Sequence, residues 1–280
     1  MEDYFFVSDI HGKLHRYEQL YKAVSEYKPK ALFLGGDLLP HGLHRSVHEN
    51  FTQEVLIRNF LELKESLGED YPEVFVILGN DDPRSEEKVF TSAEELGIWK
   101  YIHNKIVQFD NRNIFGYAFV PPTPFRYKDW EKYDVSRYVD PGCIGPLDGI
   151  RTIFDEDIEY STIEKDLKKL TEGHDLRNSI FLFHSPPYKT HLDRAGLDGL
   201  TVEHVPVDVH VGSIAIMRFI EENQPAITMH GHIHESSRIT GHWWQQINAT
   251  FSFSAAWDGP ELALVKFDPA NPQKSSRMLL

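Results

Sequence analysis

Short, wholly apolar runs recur along this chain, and each stops abruptly in polar residues. Tyr4 to Ser8 reads as a buried strand that breaks into Asp9-Ile10-His11-Gly12, after which Leu14, Tyr17, Leu20, Tyr21 and Val24 keep the spacing of an amphipathic helix. The order then repeats. Ala31 to Leu34 runs into Gly35-Gly36-Asp37, and a His-rich loop leads to a helix over about Glu54 to Leu67. Val74 to Leu78 ends in Gly79-Asn80-Asp81-Asp82, and Pro83 with the acidic stretch Ser85 to Leu96 marks another helix start.

Lys105 to Phe109 and Ile114 to Ala118 flank the turn-forming Asp110-Asn111-Arg112-Asn113 and predict a hairpin. Phe119 to Tyr160 has no clear period and is rich in Pro, Gly and aromatics, so it reads as an ordered insertion. Ser161-Thr162-Ile163-Glu164 has capping-box spacing and predicts a helix to about Thr171. The strand Ser179 to Phe183 delivers His184, and Ser213 is the expected N-cap of a helix to Asn223. Ala226 to Met229 delivers His230-Gly231-His232-Ile233-His234, and Trp243 to Phe253 and Glu261 to Phe267 read as closing strands before a polar tail. The alternation of strands and helices is that of an α/β fold. With no internal repeat, low-complexity tract or linker, residues 1–280 read as one domain with an insertion at about 119–160.

Composition narrows the classes. At 41% hydrophobic and 26% charged residues the chain is that of a globular protein rather than a disordered one. Its 29 Lys+Arg against 43 Asp+Glu leave a net charge of -14, which disfavours long nucleic acid as a partner while leaving room for a local phosphate site. No apolar run is long enough to span a membrane, and the acidic start Met1-Glu2-Asp3 is unlike a basic secretory leader. The single cysteine, Cys143, rules out a disulfide within the chain and fits a reducing compartment, so the expected location is the cytoplasm.

The chemistry gathers where the strands end. Ligands collect at the carboxyl ends of strands in α/β folds, and five of the apolar strands here end in residues able to bind a metal. Asp9, His11, Asp37, Asn80, His184, His232 and His234 supply carboxylate, amide and imidazole donors, a set suited to Mn, Fe or Zn and poor for Ca. Asp9 and His11 are two residues apart, as are His232 and His234, so each pair would point one way from an extended strand end. A carboxylate between two cations can bridge them, and Asp37 is the candidate bridge. Two divalent ions, two ligand aspartates and one bridging hydroxide would leave a site of about +1, a field that selects phosphate.

The ordered blocks Asp9-Ile10-His11, Gly36-Asp37, Gly79-Asn80-Asp81-Asp82, His184 and Gly231-His232-Ile233-His234 resemble the calcineurin-like metallophosphoesterase family over most of the chain. The resemblance implies a four-layer α/β/β/α sandwich with a dinuclear centre at one end of the paired sheets. It assigns Asp9, His11, Asp37 and His234 to one metal, and Asp37, Asn80, His184 and His232 to the other. It also implies hydrolysis of a small phosphoester, a nucleotide among the candidates, by a metal-bridging hydroxide. Asp37, Asn80 and Asp81 are then the candidate catalytic residues, and His44, His191 and His210 the candidate substrate contacts.

One position departs from the family pattern. Where many members carry a His that contacts the phosphate and assists the leaving group, this chain has Asp81. Branches lacking that His resemble phosphodiesterases, so diester hydrolysis is the expected reaction. The alternatives are a phosphomonoesterase acting on nucleotides or proteins, a DNA-repair nuclease, and a catalytically silent scaffold. The acidic surface argues against the nuclease, and the full set of seven ligand residues argues against the scaffold. Substrate identity, metal identity and oligomeric state lie outside what the sequence encodes legibly.

Overall fold

A computed structural model describes residues 3–41, 50–154 and 156–280. The candidate substrate contact His44 lies outside the described residues. The elements in chain order begin with β1 (Tyr4–Val7), α1 (Leu14–Tyr27), β2 (Ala31–Gly35), α2 (Arg58–Leu67), β3 (Glu73–Ile77), α3 (Glu87–Ser92) and β4 (Lys100–Tyr101). Then come β5 (Lys105–Phe109), β6 (Arg112–Tyr117), α4 (Ile163–Thr171), β7 (Ile180–Phe183), β8 (Thr201–Val202), β9 (Val205–Pro206) and α5 (Ile214–Asn223). The chain closes with β10 (Ile227–His230), α6 (Ser236–Thr240), β11 (Trp244–Ile247), β12 (Thr250–Ser254), β13 (Ala263–Phe267) and β14 (Ser276–Leu279).

Two six-stranded sheets result, ordered β14-β13-β1-β2-β3-β4 and β11-β12-β10-β7-β6-β5. They stack face to face under helices, giving the expected four-layer α/β/β/α sandwich. The apolar runs do not alternate with polar residues because the central strands are covered on both faces. In β1, Tyr4 points to the second sheet, with its ring 5.8 Å from Phe109, while Phe5 points outward to Tyr27 of α1 at 6.0 Å. Phe75 against Phe109 and Phe253 against Phe267, both at 5.4 Å, join the sheets along their width. On the outer faces, Tyr21 of α1 meets Phe60 of α2, and Phe219 of α5 meets Phe181 of β7.

The strands β1, β2 and β3 run parallel, as do β7 and β10, with helical connections between them. Parallel strands joined by crossovers bring their carboxyl ends to one edge. Loops carrying Asp9, Asp37, Asn80, His184 and His232 therefore leave the sandwich at the same end.

Several local expectations needed correction. The cap of α4 is Thr162, whose hydroxyl accepts from Lys165 N, and not Ser161; the helix starts one residue later than the capping-box reading. The helix before β3 opens with a π-helical turn at Thr52–Ile57, and the one after it is broken into short helical pieces from Arg84 to Leu96. Trp243 to Phe253 is a tight hairpin, β11 and β12, because Asn248 takes a left-handed φ of 52°. The tail is not all loop: β14 pairs antiparallel with β13. The β5–β6 hairpin turns on Asp110 and Asn111 alone, both at positive φ, the signature of a two-residue I′ turn.

The insertion has little regular structure but is tied at both ends. Asp129 accepts from Arg84 N at 2.7 Å and from Thr152 N at 2.6 Å, and the Arg84 guanidinium lies over the rings of Phe119 and Trp130. Farther along, Asp134 accepts from Ser213 Oγ and from the backbone N–H groups of Ile214 and Ala215, so the insertion helps cap α5. Trp130 is fully buried and the Tyr127 hydroxyl donates to Asp129, so both pack the insertion rather than offering a stacking face.

Candidate metal centre

The site is built where the two sheets' parallel strands stop. Asp9, His11, Asp37 and His232 all take left-handed φ, at 55°, 52°, 53° and 73°. This corrects the expectation that Asp9 and His11 leave an extended strand end: the backbone curls at once, and the curl turns both side chains into the same space. Non-glycine residues held at positive φ cost free energy, and four together at strand ends mark a site over-determined by its surroundings.

Asp9, His11, Asp37 and His234 each offer one ligand atom, all within 4.8 Å of one another. His11 Nε2 and His234 Nε2 stand 3.0 Å apart, and His234 Nε2 lies 3.2 Å from Asp9 Oδ1. Two imidazole nitrogens and a carboxylate oxygen converging on one point are the donor set of a divalent transition ion. On the other side of Asp37, His184 Nε2 lies 3.3 Å from Asp37 Oδ2 and 3.0 Å from Asn80 Oδ1, and the His232 ring is 5.4 Å from the His184 ring. The same Asp37 Oδ2 is 3.9 Å from His11 Nε2, so one oxygen faces both groups. Four of the seven residues named from sequence thus form one cluster of potential ligand atoms, and Asp37 also faces His184, which in turn meets Asn80.

Outer partners fix these side chains. His184 Nδ1 is 2.8 Å from the Gly35 carbonyl, which assigns a proton to Nδ1, so that Nε2 is the nitrogen that would face a metal once the ring is neutral. The Asp9 carboxylate accepts from Ser8 Oγ at 2.5 Å and from His232 N at 3.0 Å. Asp37 Oδ1 accepts from Asp81 N at 2.8 Å. Asp82, fully buried, accepts from Leu38 N, Leu39 N and Gly79 N, stapling the Asp37 loop to the Asn80 loop. A Cβ on Gly79 would collide with Asp37 Oδ1, and one on Gly231 would stand 2.6 Å from Asp9 Oδ2, so both positions require glycine.

Arg16 was missed by the sequence reading. Its guanidinium is buried and donates to the Asp9 carbonyl at 2.6 Å and to the Gly259 carbonyl at 2.6 Å, tying the first ligand loop to the segment after β12. The one signal for it was an arginine among the inward-facing positions of α1, next to Tyr17.

The charges are strongly coupled. Burial pushes the Asp9 carboxyl up, but the His234 hydrogen bond and the surrounding histidines outweigh it and hold the group far below the usual carboxylate range. Burial likewise opposes Asp37, which His184 brings down to about 2; in return, burial lowers His184 but Asp37 lifts it to about 10. Desolvation, and then the neighbouring His184 charge, brings the half-buried His232 down to about 3. Burial and then the Asp37 charge raise Asp81 to about 6 and Asp82 to about 8.

Several other histidines among the described residues have partners of their own. His230 Nδ1 is 2.8 Å from the Ser185 carbonyl and Nε2 is 2.8 Å from Thr228 Oγ1, so both nitrogens are engaged and the ring is structural. His191 packs its ring against His242 at 4.4 Å, and His210 pairs with Asp193, so neither candidate substrate contact has its partners within the ligand cluster. His41 reaches the site's edge, with Nε2 3.8 Å from Asp81 Oδ2.

The calcineurin-like phosphoesterase family profile matches residues 4–236, and the chain belongs to that family. It is therefore a metal-dependent phosphoesterase by class. A curated relative, the uncharacterized protein MJ1162 of Methanocaldococcus jannaschii, is 28% identical over 240 residues, covering 83% of this chain and 80% of the relative. Among solved structures, the protein TT1561 of Thermus thermophilus superposes with a TM-score of 0.58 at 16% identity, covering 99% of this chain and 98% of the other. A dimetal phosphatase from Danio rerio does so with a TM-score of 0.52 at 10% identity, covering 94% and 91%. At these identities the two structures speak for the fold. Among the described residues, no helix is long and apolar enough to cross a membrane.

Proposed function

We propose that this protein is a dinuclear metal phosphodiesterase of the cytoplasm acting on a small phosphoester, nucleotides included. The donor geometry fits two ions of the Mn, Fe or Zn type: Asp9, His11, Asp37 and His234 would hold one, and Asp37, Asn80, His184 and His232 the other. Such ions, when bound, acidify a water nucleophile and neutralise the phosphoryl oxygens.

The chain's own residues set the rest. Asp37 shares its Oδ2 between both ligand sets, and Asp82 locks the two loops that carry Asp37 and Asn80. The observation that carries the diester preference is the Asp81 carboxylate, whose Oδ2 lies 3.6 Å from His11 Nδ1 at the cluster's edge. With a pKa of about 6, Asp81 is mostly ionised at neutral pH. There it would orient His11 through Nδ1, leaving Nε2 for a metal, and add negative charge beside the phosphoryl group. A monoester dianion is repelled more than a diester monoanion. The test is kcat/KM for bis(p-nitrophenyl) phosphate against p-nitrophenyl phosphate with Mn present. A higher value for the diester is expected; a preference for the monoester would overturn the diesterase reading.

A further inference from the structure

If the reaction proposed above takes place here, a group must protonate the departing oxygen, and the Asp81 carboxylate is already turned to His11. The loop between β7 and α5 holds a different candidate. Asp193 is fully buried, and its carboxylate accepts from Lys189 N at 2.9 Å, Thr190 N at 2.9 Å and Gly212 N at 3.1 Å. Its remaining partner is His210 Nδ1, at 2.8 Å. An ionised carboxylate only accepts hydrogen bonds, so the Nδ1 proton lies on the imidazole and points at Asp193. Among the described residues, His210 Nε2 carries no hydrogen bond, and the side chain is 28% exposed. A buried carboxylate that holds an imidazole through one nitrogen fixes the ring and leaves the other nitrogen open to a substrate.

Backbone contacts tie the loop that carries this pair to segments adjoining two of the candidate ligands. Ser213 N donates to the Pro186 carbonyl at 2.8 Å and Tyr188 N to the Ser213 carbonyl at 3.0 Å, so the loop's two ends close immediately beyond His184. Arg194 and His210 face each other in a backbone bridge, and two residues on, Gly196 N donates to Glu235 Oε1 at 3.0 Å, next in the chain to His234. The loop thus reaches from the strand end of one ligand to the segment after another. The Tyr188 ring stands edge-on to His210 at 6.3 Å, and the Lys189 ammonium lies 5.2 Å from the Tyr188 ring centroid, so the same loop carries a cation.

We propose that His210, oriented by Asp193, donates the proton to the leaving oxygen. Water oxygen bonds to phosphorus, the bond from phosphorus to the leaving oxygen breaks with its electron pair on that oxygen, and His210 Nε2 supplies the proton. The proton given up by the attacking water returns to the imidazole through solvent. Asp193 keeps the ring in place throughout.

The assignment predicts a dependence on the leaving group that a structural role would not produce. The test compares wild type and His210→Gln on methyl p-nitrophenyl phosphate and methyl phenyl phosphate with Mn. The stable p-nitrophenolate needs little protonation, whereas phenolate needs it far more. The substitution is expected to lower kcat about a hundredfold for the phenyl ester, within the usual range for general acid catalysis, with a loss about tenfold smaller for the p-nitrophenyl ester. Equal losses on both esters, or none, would overturn the role of His210 while leaving the phosphoesterase reading intact. No metal-dependent turnover in the wild type would overturn that reading and the proposal together. A second readout is independent of turnover. In the Zn-loaded protein, titration with inorganic phosphate should shift the His210 ring resonances in ¹H–¹⁵N spectra, and unmoved resonances under saturating phosphate would count against contact.

Discussion

Replacing Asp37 with Asn changes one oxygen to an NH₂ and tests the shared-ligand assignment. If the amide keeps its oxygen toward Asp81 N, now 2.8 Å from Oδ1, the NH₂ takes the place of Oδ2 and points hydrogens toward His184 Nε2 and His11 Nε2, where lone pairs are needed. If it flips, the NH₂ confronts the Asp81 N–H and the fold of the Asn80 loop is strained. Neither orientation restores a negative charge facing both ligand sets. The expected loss in kcat/KM for bis(p-nitrophenyl) phosphate at saturating Mn is at least about a hundredfold, or ~2.7 kcal/mol in the barrier. Calorimetric Mn titration should show weakened binding of both ions, because both sets lose the same ligand. The metal-free variant should melt below the metal-free wild type near neutral pH, because His184 loses the anionic partner that stabilises its protonated form. A loss below about tenfold, ~1.4 kcal/mol, with two ions still bound would refute the bridging argument.

Metal binding should release protons, because His184 at about 10 is protonated at neutral pH and must be neutral to ligate. Apparent Mn affinity should therefore rise with pH between 6 and 8, measured by calorimetry in buffers of differing ionisation enthalpy; a pH-independent affinity would contradict the His184 assignment. The same group makes a stability prediction for the metal-free protein. A histidine whose folded pKa exceeds 6.5 stabilises fully below that value and progressively less as pH climbs towards about 10, so Tm in chelator should fall over that window. Asp81→His should move the diester-to-monoester ratio of kcat/KM toward monoesters, since it removes the negative charge and adds a proton donor; an unchanged ratio with metals bound would remove Asp81 as the determinant.

The candidate ligand set was legible because its signals are local. Each apolar run that fills a strand between two covered faces must end where the backbone leaves the sheets, and at Asp9, Asp37, Asn80, His184 and His232 the change from apolar to metal-competent residues falls at that point. What keeps the set in place was harder to read. Arg16 acts on backbone carbonyls of residues 9 and 259, which have no side-chain signature at the receiving end. The Asp193–His210 pair spans a loop without a period, so nothing in the spacing links the two residues. The direction of the ligands was misjudged for a related reason: the two-residue repeat of an extended strand does not survive the left-handed turn at Asp9 and His11. Similarly, β14 is a short edge strand in a polar tail, and its pairing with β13 depends on tertiary placement rather than on hydrophobic pattern.

The central claim is that seven residues hold two ions through a shared Asp37. Diffraction from Mn-soaked crystals at the Mn absorption edge tests it most directly. Two anomalous peaks ~3.5 to 4 Å apart are predicted, one among Asp9, His11, Asp37 and His234 and the other among Asp37, Asn80, His184 and His232. No peak, or a single peak away from the Asp37 carboxylate, would contradict it.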